Sequence, residues 1–219
     1  MISRYNAVVY ALMATLIAGC VPLPREGPAA PSSAPPSVKA SAAFPARIAV
    51  LPLSNQAGSA DGAVILRYLA VRKLNRDLGY FVSRPDETDQ ILHERTLTGP
   101  EIPIQVAIAR QNAGILADWL GVDGVLHGEL QAYHRAKLTV WVRSQVKARF
   151  WLTDRQGKTL WENAKDSDQS SFGGGHTSIA SFLTDSAIPP DVMEKIRASD
   201  LSEAALDLVD DAFGTFPKR

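Results

Sequence analysis

The sequence lacks the residue patterns of familiar catalytic sites. It has no Gly-x-Ser-x-Gly motif, the turn that presents the nucleophilic serine of many hydrolases. Its histidines are scattered, and no two of them have a metal-ligand spacing such as His-x-x-x-His. We therefore predict a protein that is not an enzyme and that binds neither a cofactor nor a metal ion. The four histidines are His93, His127, His134 and His176.

An excess of charge of either sign is also absent. The chain carries 23 lysines and arginines against 23 aspartates and glutamates, so its formal net charge is zero. Proteins that bind nucleic acids without sequence preference are usually strongly basic. The balance therefore argues against such a role, and we expect no nucleic-acid partner.

No hydrophobic run near the N-terminus is long enough to span a bilayer. Residues 7–18 are mostly apolar, but at ~1.5 Å per residue they cover only about 18 Å, against roughly 30 Å of hydrocarbon. Arg4 precedes this run and small residues follow it, an arrangement typical of a secretory signal. We therefore predict that residues 1–19 are a signal peptide.

Cys20 is the only cysteine, and it stands directly after this signal. The sequence Ile17-Ala18-Gly19-Cys20 resembles a bacterial lipobox. The resemblance implies a diacylglycerol on the sulfur of Cys20, cleavage before Cys20, and acylation of the new amine, which together anchor the chain firmly. No free thiol would then remain in the oxidising periplasm. The alternative is an ordinary signal peptide with an incidental cysteine.

The residue after the cysteine bears on which membrane holds the anchor. In lipoproteins of this kind an aspartate at that position commonly implies retention at the inner membrane, and this chain has Val21 there. The resemblance therefore implies the periplasmic face of the outer membrane.

The segment that follows is rich in proline and alanine. Half of the chain's 14 prolines lie in residues 21–45. Such a segment buries too little apolar surface to offset the entropy of ordering it, and its prolines favour extended conformations. We predict that residues 20–46 are the lipidated cysteine and a tether. The prolines are Pro22, Pro24, Pro28, Pro31, Pro35, Pro36 and Pro45.

Residues 47–216 are predicted to form a single periplasmic α/β domain, which opens with a βαβ unit. The apolar run 48–53 indicates a buried parallel strand. The next apolar residues recur at helical spacing, with Asp61 as the candidate cap, Arg67 on the polar face and Gly79 at the end. Residues 80–82 indicate the second strand.

The remaining segments predict three more helices and an antiparallel meander. The helices cover residues 86–95, 105–120 and 200–213, the last with a capping box of Asp200 and Glu203. The strands cover residues 124–133 and 137–153, and a third strand begins over 159–162. The turns are predicted at 133–136 and 154–157, and residues 167–175 are predicted to be a flexible loop.

Side chains alternate along the strand 137–153. One set is apolar and the other mixes tryptophan with basic residues. The mixed set could bind a partner protein, anionic lipid headgroups or nucleic acid. We expect instead that the acidic C-terminal helix covers part of it, so that removing residues 199–219 would expose Trp141 or Trp151. The candidate interaction face is Trp141, Arg143, Lys147, Arg149 and Trp151.

Four stretches together resemble an uncharacterised family of bacterial envelope lipoproteins that carries a domain of unknown function. They are residues 48–55, 79–82, 120–126 and 152–161. The family's fold is similar to the amino-terminal domain of TolB, to the curli-secretion lipoprotein CsgG and to the penicillin-binding-protein activator LpoB. The resemblance implies a single α+β domain with a mixed sheet and helices packed on it, working in envelope assembly or secretion.

The leading hypothesis is therefore a non-catalytic lipoprotein that binds another envelope protein, such as a second lipoprotein, and that could itself form an oligomer. One alternative is a module that binds peptidoglycan or polysaccharide, or that activates wall synthesis, since exposed tryptophans stack on sugars. Another is a hydrolase whose site combines Asp123, His127 and Glu129. The glycines at 173–175 before His176 could cradle an anion, but they lack the lysine of a phosphate-binding loop.

Overall fold

The computed structural model describes residues 44–96, 108, 111–138, 141–171 and 188–219. For residues 96, 137, 138, 141, 142 and 169–171 it describes the backbone alone. By its internal contacts the chain divides into two units, Met1–Ser41 and Ala42–Arg219, and every described residue belongs to the second. Cys20, the tether before residue 44 and the glycines at 173–175 lie outside the described residues.

The domain is built on one mixed sheet of six strands. They are β1 (Arg47–Val50), β2 (Ser54–Asn55), β3 (Phe81–Val82), β4 (Gly124–Leu138), β5 (Trp141–Asp154) and β6 (Thr159–Ser171). The order across the sheet is β3-β1-β4-β5-β6, and β2 continues the line of β1 alongside β4. The strand β1 is parallel to both of its neighbours, whereas β4, β5 and β6 form an antiparallel meander. This arrangement confirms the predicted fold class.

Helices pack on both faces of this sheet. They are α1 (Ala60–Arg72), which continues as a π-helical turn over Lys73–Asp77, α2 (Pro85–Thr96), α3 (Ala113–Leu120), α4 (Pro190–Ala198) and α5 (Ser202–Phe213). None of the helices in the described part of the chain combines the length and the apolar character needed to cross a membrane.

The alternation of strand side chains divides the interior into two apolar clusters. Ile48 and Val50 of β1 point into the larger cluster, which the helices α1, α4 and α5 close. Ala49 and Leu51 point the other way, into a smaller cluster closed by α2 and α3. The β1 strand is therefore buried on both sides, which explains its continuous apolar sequence.

The first helix is capped by a different residue from the one predicted. The side chain of Ser59 accepts a hydrogen bond from the backbone N–H of Gly62 at 3.1 Å and so caps α1. Asp61 lies inside the first turn and binds Lys195 of α4, so the prediction that Asp61 is the cap was wrong. The prediction for the other end is confirmed, because Gly79 takes the left-handed conformation with φ of 75°.

The meander is longer than its sequence predicted. Residues 133–136, predicted as a turn, are paired residues of β4, with Tyr133 opposite Val146 and Ala136 opposite Arg143. Residues 167–171, predicted as part of a loop, belong to β6. These strands extend beyond the part of the sheet that is buried on both faces, so their outer residues are polar. Such residues resemble those of turns and loops, and the prediction was wrong for this reason.

The C-terminal region contains one helix that the sequence did not predict and one that begins two residues later than predicted. The helix α4 was not predicted, because it is short and only Val192, Met193 and Ile196 form its buried side. The helix α5 begins at Ser202 and has no side-chain cap, so the capping box of Asp200 and Glu203 was wrong. Asp200 instead forms an ion pair with Arg135 of β4.

Candidate interaction face

In the part of the chain that the structure describes, no helix covers one face of the sheet along most of β5 and β6. On this side the helices α2 and α3 lie near β1 and near one end of β4 and β5, and farther along β5 and β6 the side chains reach solvent. We call this surface the open face. Its residues are His127 and Glu129 of β4, Arg143, Gln145, Lys147, Arg149 and Trp151 of β5, and Glu162, Asp166 and Asp168 of β6.

Strand pairing places acidic side chains beside the basic ones of β5. Arg143 and Asp168 form an ion pair in which the arginine Nε donates at 2.9 Å. Arg149 binds Glu162 through both its Nε and an Nη atom, at 2.8 and 2.7 Å. Hydrogen bonding from Arg143 holds the pKa of Asp168 below its usual value. The charge of β5 is therefore balanced across the β5–β6 ladder.

This arrangement corrects the prediction for the acidic C-terminal helix. The helix α5 packs on the opposite face of the sheet, where Phe213 meets Phe150 of β5 with ring centroids 5.3 Å apart. The side chain of Phe150 points away from Arg149 and Trp151, because neighbours in a strand face opposite sides. The acids that face the basic residues come from β6 and not from α5.

Trp151 is held in place by His127, which is directly opposite it on β4. The two rings stack with centroids 5.1 Å apart and planes 3° apart. The guanidinium of Arg149 lies 5.2 Å from the centre of the indole, within the range of a cation–π contact. One ring face of Trp151 is therefore already in contact with the protein.

The buried position of His127 has an electrostatic consequence. Burial lowers its pKa from 6.5 to about 4, because the charged imidazolium would lose its hydration. The hydroxyl of Thr153 lies 3.2 Å from the carbonyl oxygen of Val125 and 3.1 Å from Nε2 of His127, so a hydrogen bond joins the ring to the neighbouring strand β5.

Of the predicted interaction residues, four have described side chains. Arg143 and Lys147 are exposed, and Arg149 and Trp151 are partly buried. Lys147 makes no ion pair with any residue in the described part of the chain. Trp141 is paired with Leu138 at the start of β5, but its side chain lies outside the described residues.

The residues of the hydrolase hypothesis do not converge. Asp123 binds the backbone N–H of Arg47, and Glu129 binds the side chain of Gln56. Asp123 and His127 are four residues apart along an extended chain, which is about 13 Å at ~3.3 Å per residue. Among the described residues no three His, Cys, Asp or Glu side chains are grouped as a metal ion would require.

Sequence reasoning missed the role of Arg67. It was placed on the polar face of α1, but only 6 % of it is exposed. Its guanidinium binds the carbonyl oxygen of Val50 and the carboxylate of Asp89. A lone arginine among the apolar residues Ile65, Leu66 and Leu69 was the signal that could have indicated a buried partner.

Comparison with known proteins finds similarity in fold. No protein-family model and no curated protein matches the chain. The fold is similar to that of lipoprotein GNA1162 from Neisseria meningitidis, with a TM-score of 0.53 and 20 % identity over 71 % of this chain and 100 % of that one. The predicted likeness to bacterial lipoproteins is thereby confirmed at the level of the fold.

Two weaker likenesses were also found. A PelC dodecamer from Paraburkholderia phytofirmans matches with a TM-score of 0.46 and 14 % identity, over 80 % of this chain and 89 % of that one. The LpoB C-terminal domain from Escherichia coli matches with a TM-score of 0.39 and 13 % identity, over 60 % of this chain and 90 % of that one. At these TM-scores neither likeness bears on function.

Proposed function

We propose that this chain is a lipid-anchored protein of the bacterial envelope whose α/β domain binds another envelope protein through the open face. It catalyses no reaction. The signal peptide 1–19, the acylated Cys20 and the tether to residue 46 hold the domain at the periplasmic face of the outer membrane. The lipobox resemblance supports the anchor, and the fold shared with a Neisseria lipoprotein is consistent with it.

The observation that carries the binding role is the make-up of the open face. Tryptophan and arginine are the residues that most often dominate the energy of protein interfaces. Here Trp151 and Arg149 lie side by side, and their positions are held by His127 and Glu162. Side chains that are already ordered lose less conformational entropy when a partner binds.

The same geometry favours a protein over a polysaccharide. A sugar ring stacks on an open aromatic face, but one face of Trp151 is in contact with His127. Ion pairs along β5 and β6 instead present alternating charges that a protein surface can complement. Binding to peptidoglycan is therefore the alternative that the experiment should test.

Crosslinking from the open face tests the binding role. A photoreactive phenylalanine derivative replaces Lys147, and in the control it replaces Arg197, which is exposed on α4 at the opposite face. We expect one specific envelope-protein adduct from position 147 and none from 197. The adduct should disappear in Arg149→Glu and persist in Arg197→Glu.

The alternatives predict different outcomes in the same experiment. An equal set of adducts from both positions would contradict a specific open-face site. If the pure protein is retained on isolated peptidoglycan and Trp151→Ala abolishes this retention, the open face binds the wall polymer and not a protein partner.

The anchor needs a test of its own. A clickable fatty acid should label the wild-type chain and not Cys20→Ala, and the labelled protein should fractionate with the outer membrane. Label at the inner membrane would contradict the proposed location. Release of unlabelled protein in soluble form would contradict the proposed lipid anchor, but it would leave the proposed binding role of the open face untouched.

A further inference from the structure

A second candidate site lies where the connections of the sheet change direction. The chain leaves β1 through α1 to reach β3 on one side, and then returns through α2 and α3 to reach β4 on the other side. The helices α1 and α2 consequently lie on opposite faces of the sheet. In open α/β sheets, ligands bind in the crevice at the carboxyl ends of the strands where the connections diverge.

The structure has a cleft at this position. Its volume is about 590 Å³, within the range of sites that bind small ligands. It lies between α1 and α2, beyond the carboxyl end of β1, beside Pro52, Leu53 and Asn55 of the segment that leads into and includes β2. The open face and the cleft are different surfaces, since Trp151 and the residues of β6 do not line the cleft.

The walls of the cleft differ in character. The loop after β1 and the helix α1 contribute apolar side chains, including Leu53, Ala63 and Val64. The helix α2 contributes polar side chains, Gln90 and His93, which are exposed. An apolar wall facing a polar one suits a ligand that has both apolar groups and groups that form hydrogen bonds.

The charged side chains that line the cleft also limit the net charge of a ligand that could bind there. The two formal charges that line the cleft, Arg67 and Asp89, are paired with each other at 2.7 Å. They cancel, so the cleft gives no net attraction to an anion or to a cation. The lining therefore favours an uncharged ligand.

One carboxylate oxygen of Asp89 lacks a hydrogen-bond donor among the described residues. The Oδ2 atom of Asp89 accepts from Arg67, but its Oδ1 atom is screened from water and has no hydrogen-bond partner among the described residues. Unsatisfied buried acceptors of this kind are rare in folded proteins. Asp89 lines the cleft and its side chain as a whole is 45 % exposed, so its carboxylate is the acceptor that a donor on a bound ligand would meet.

We propose that this cleft binds a short extended peptide segment with small apolar side chains, whose main-chain N–H donates to Asp89. A peptide main chain is uncharged, and it offers a donor and an acceptor at every residue. Its carbonyl oxygens accept from the side chains of Asn55 and His93, which line the cleft, while its apolar side chains pack on Ala63 and Val64. The inference depends neither on the anchor nor on the open face.

Titration with capped tetrapeptides tests the inference on the full chain. The probes are acetylated and amidated Ala-Val-Ala-Val, with Ala-Lys-Ala-Lys and Ala-Glu-Ala-Glu as charged counterparts. We expect the neutral peptide to shift the backbone amide NMR signals of Ala63, Val64, Gln90 and His93. It should bind at least about tenfold more tightly than either charged peptide.

Matched tryptophan variants locate the site. Gln90→Trp places a large side chain in the cleft, whereas Glu87→Trp adds the same bulk to the exposed side of α2, one turn away. The first should weaken binding of the neutral peptide by about tenfold or more, and the second should leave it unchanged. The amide NMR signals of residues outside α2 should be the same in Gln90→Trp as in the wild type. The variant is then folded, and any loss of peptide binding reflects blocking of the cleft.

Three outcomes would overturn the inference. In the first, no peptide shifts these signals at millimolar concentration. In the second, a charged peptide binds as well as the neutral one. In the third, binding survives in Gln90→Trp, which would place the peptide elsewhere.

Discussion

Arg67 of α1 completes the hydrogen bonding of Val50, the last residue of β1. Its Nε and Nη2 atoms both donate to the carbonyl oxygen of Val50, at 3.1 and 2.9 Å. The strand β1 ends at this residue, and the chain continues through residues 51–53 to β2. A buried side chain on the first helix thus stabilises the end of the central strand.

Replacing Arg67 should therefore destabilise the domain. Arg67→Met keeps the length of the side chain but leaves the carbonyl oxygen of Val50 and the carboxylate of Asp89 without their donor. We expect a loss of about 2 kcal/mol in the free energy of unfolding, measured by urea denaturation. Arg84→Met is the control, because Arg84 is exposed and pairs with surface acids, and it should change stability by less than ~0.5 kcal/mol. Equal effects from the two variants would contradict the structural role of Arg67.

Loss of a side chain from the C-terminal helix α5 should change the surroundings of Trp161 and leave those of Trp151 unchanged. Phe213 contacts Trp161 with ring centroids 5.2 Å apart, whereas Trp151 points to the other side of the sheet. In protein labelled with fluorotryptophan, we expect Phe213→Ala to shift the ¹⁹F signal of Trp161 and to leave that of Trp151 in place. The variant should also lose about 3 kcal/mol of stability, because Phe213 is buried. A shift at Trp151 alone would restore the prediction that α5 covers the open face.

His127 should make stability depend on pH. Its pKa is about 4 in the folded chain against an ordinary value of 6.5, so between these values the unfolded chain binds more protons. Stability therefore falls as the pH drops from about 6.5 to 4, by on the order of 3 kcal/mol from this group. His127→Phe keeps a ring beside Trp151 and should flatten this part of the profile in urea denaturation.

The matched control for that profile is His93→Gln, because His93 is exposed on α2. It should retain the slope of the wild type. A wild-type profile that is flat from pH 6.5 to 4 would show that His127 is not buried in its neutral form.

Gly128 of β4 should tolerate no side chain. A Cβ atom there would lie 2.7 Å from Cγ of Leu53 and 3.2 Å from Cδ1 of Phe150. Gly128→Ala forces buried neighbours apart, and we expect a loss of about 1 to 3 kcal/mol in thermal or urea unfolding. Gly214→Ala is the matched control, since its Cβ would come no closer than 3.4 Å to another atom. A destabilised Gly214→Ala with an unaffected Gly128→Ala would contradict the packing of Leu53 against β4.

Much of the first half of the fold could be predicted from the sequence, because its signals are local. The apolar run at 48–53, the helical spacing that ends at Gly79 and the alternation along β5 each follow from the geometry of one element. The lengths of β4 and β6 could not be predicted, because their outer parts are polar and gain their stability from pairing across strands. The helix α4 was missed for a related reason, since it is stabilised by burying Val192 and Ile196 against the core.

The sequence was sufficient to predict the βαβ unit, the antiparallel meander and the alternation that places Arg149 and Trp151 on one side of β5. The groups that face these two residues became known from the folded structure alone. The register of β6 brings Glu162 to Arg149 and Asp168 to Arg143, and the packing of α5 against Phe150 keeps the C-terminal acids on the other face. Periodicity depends on neighbours along the chain, whereas charge pairing and cleft formation depend on contacts between residues far apart in sequence, which no local pattern encodes.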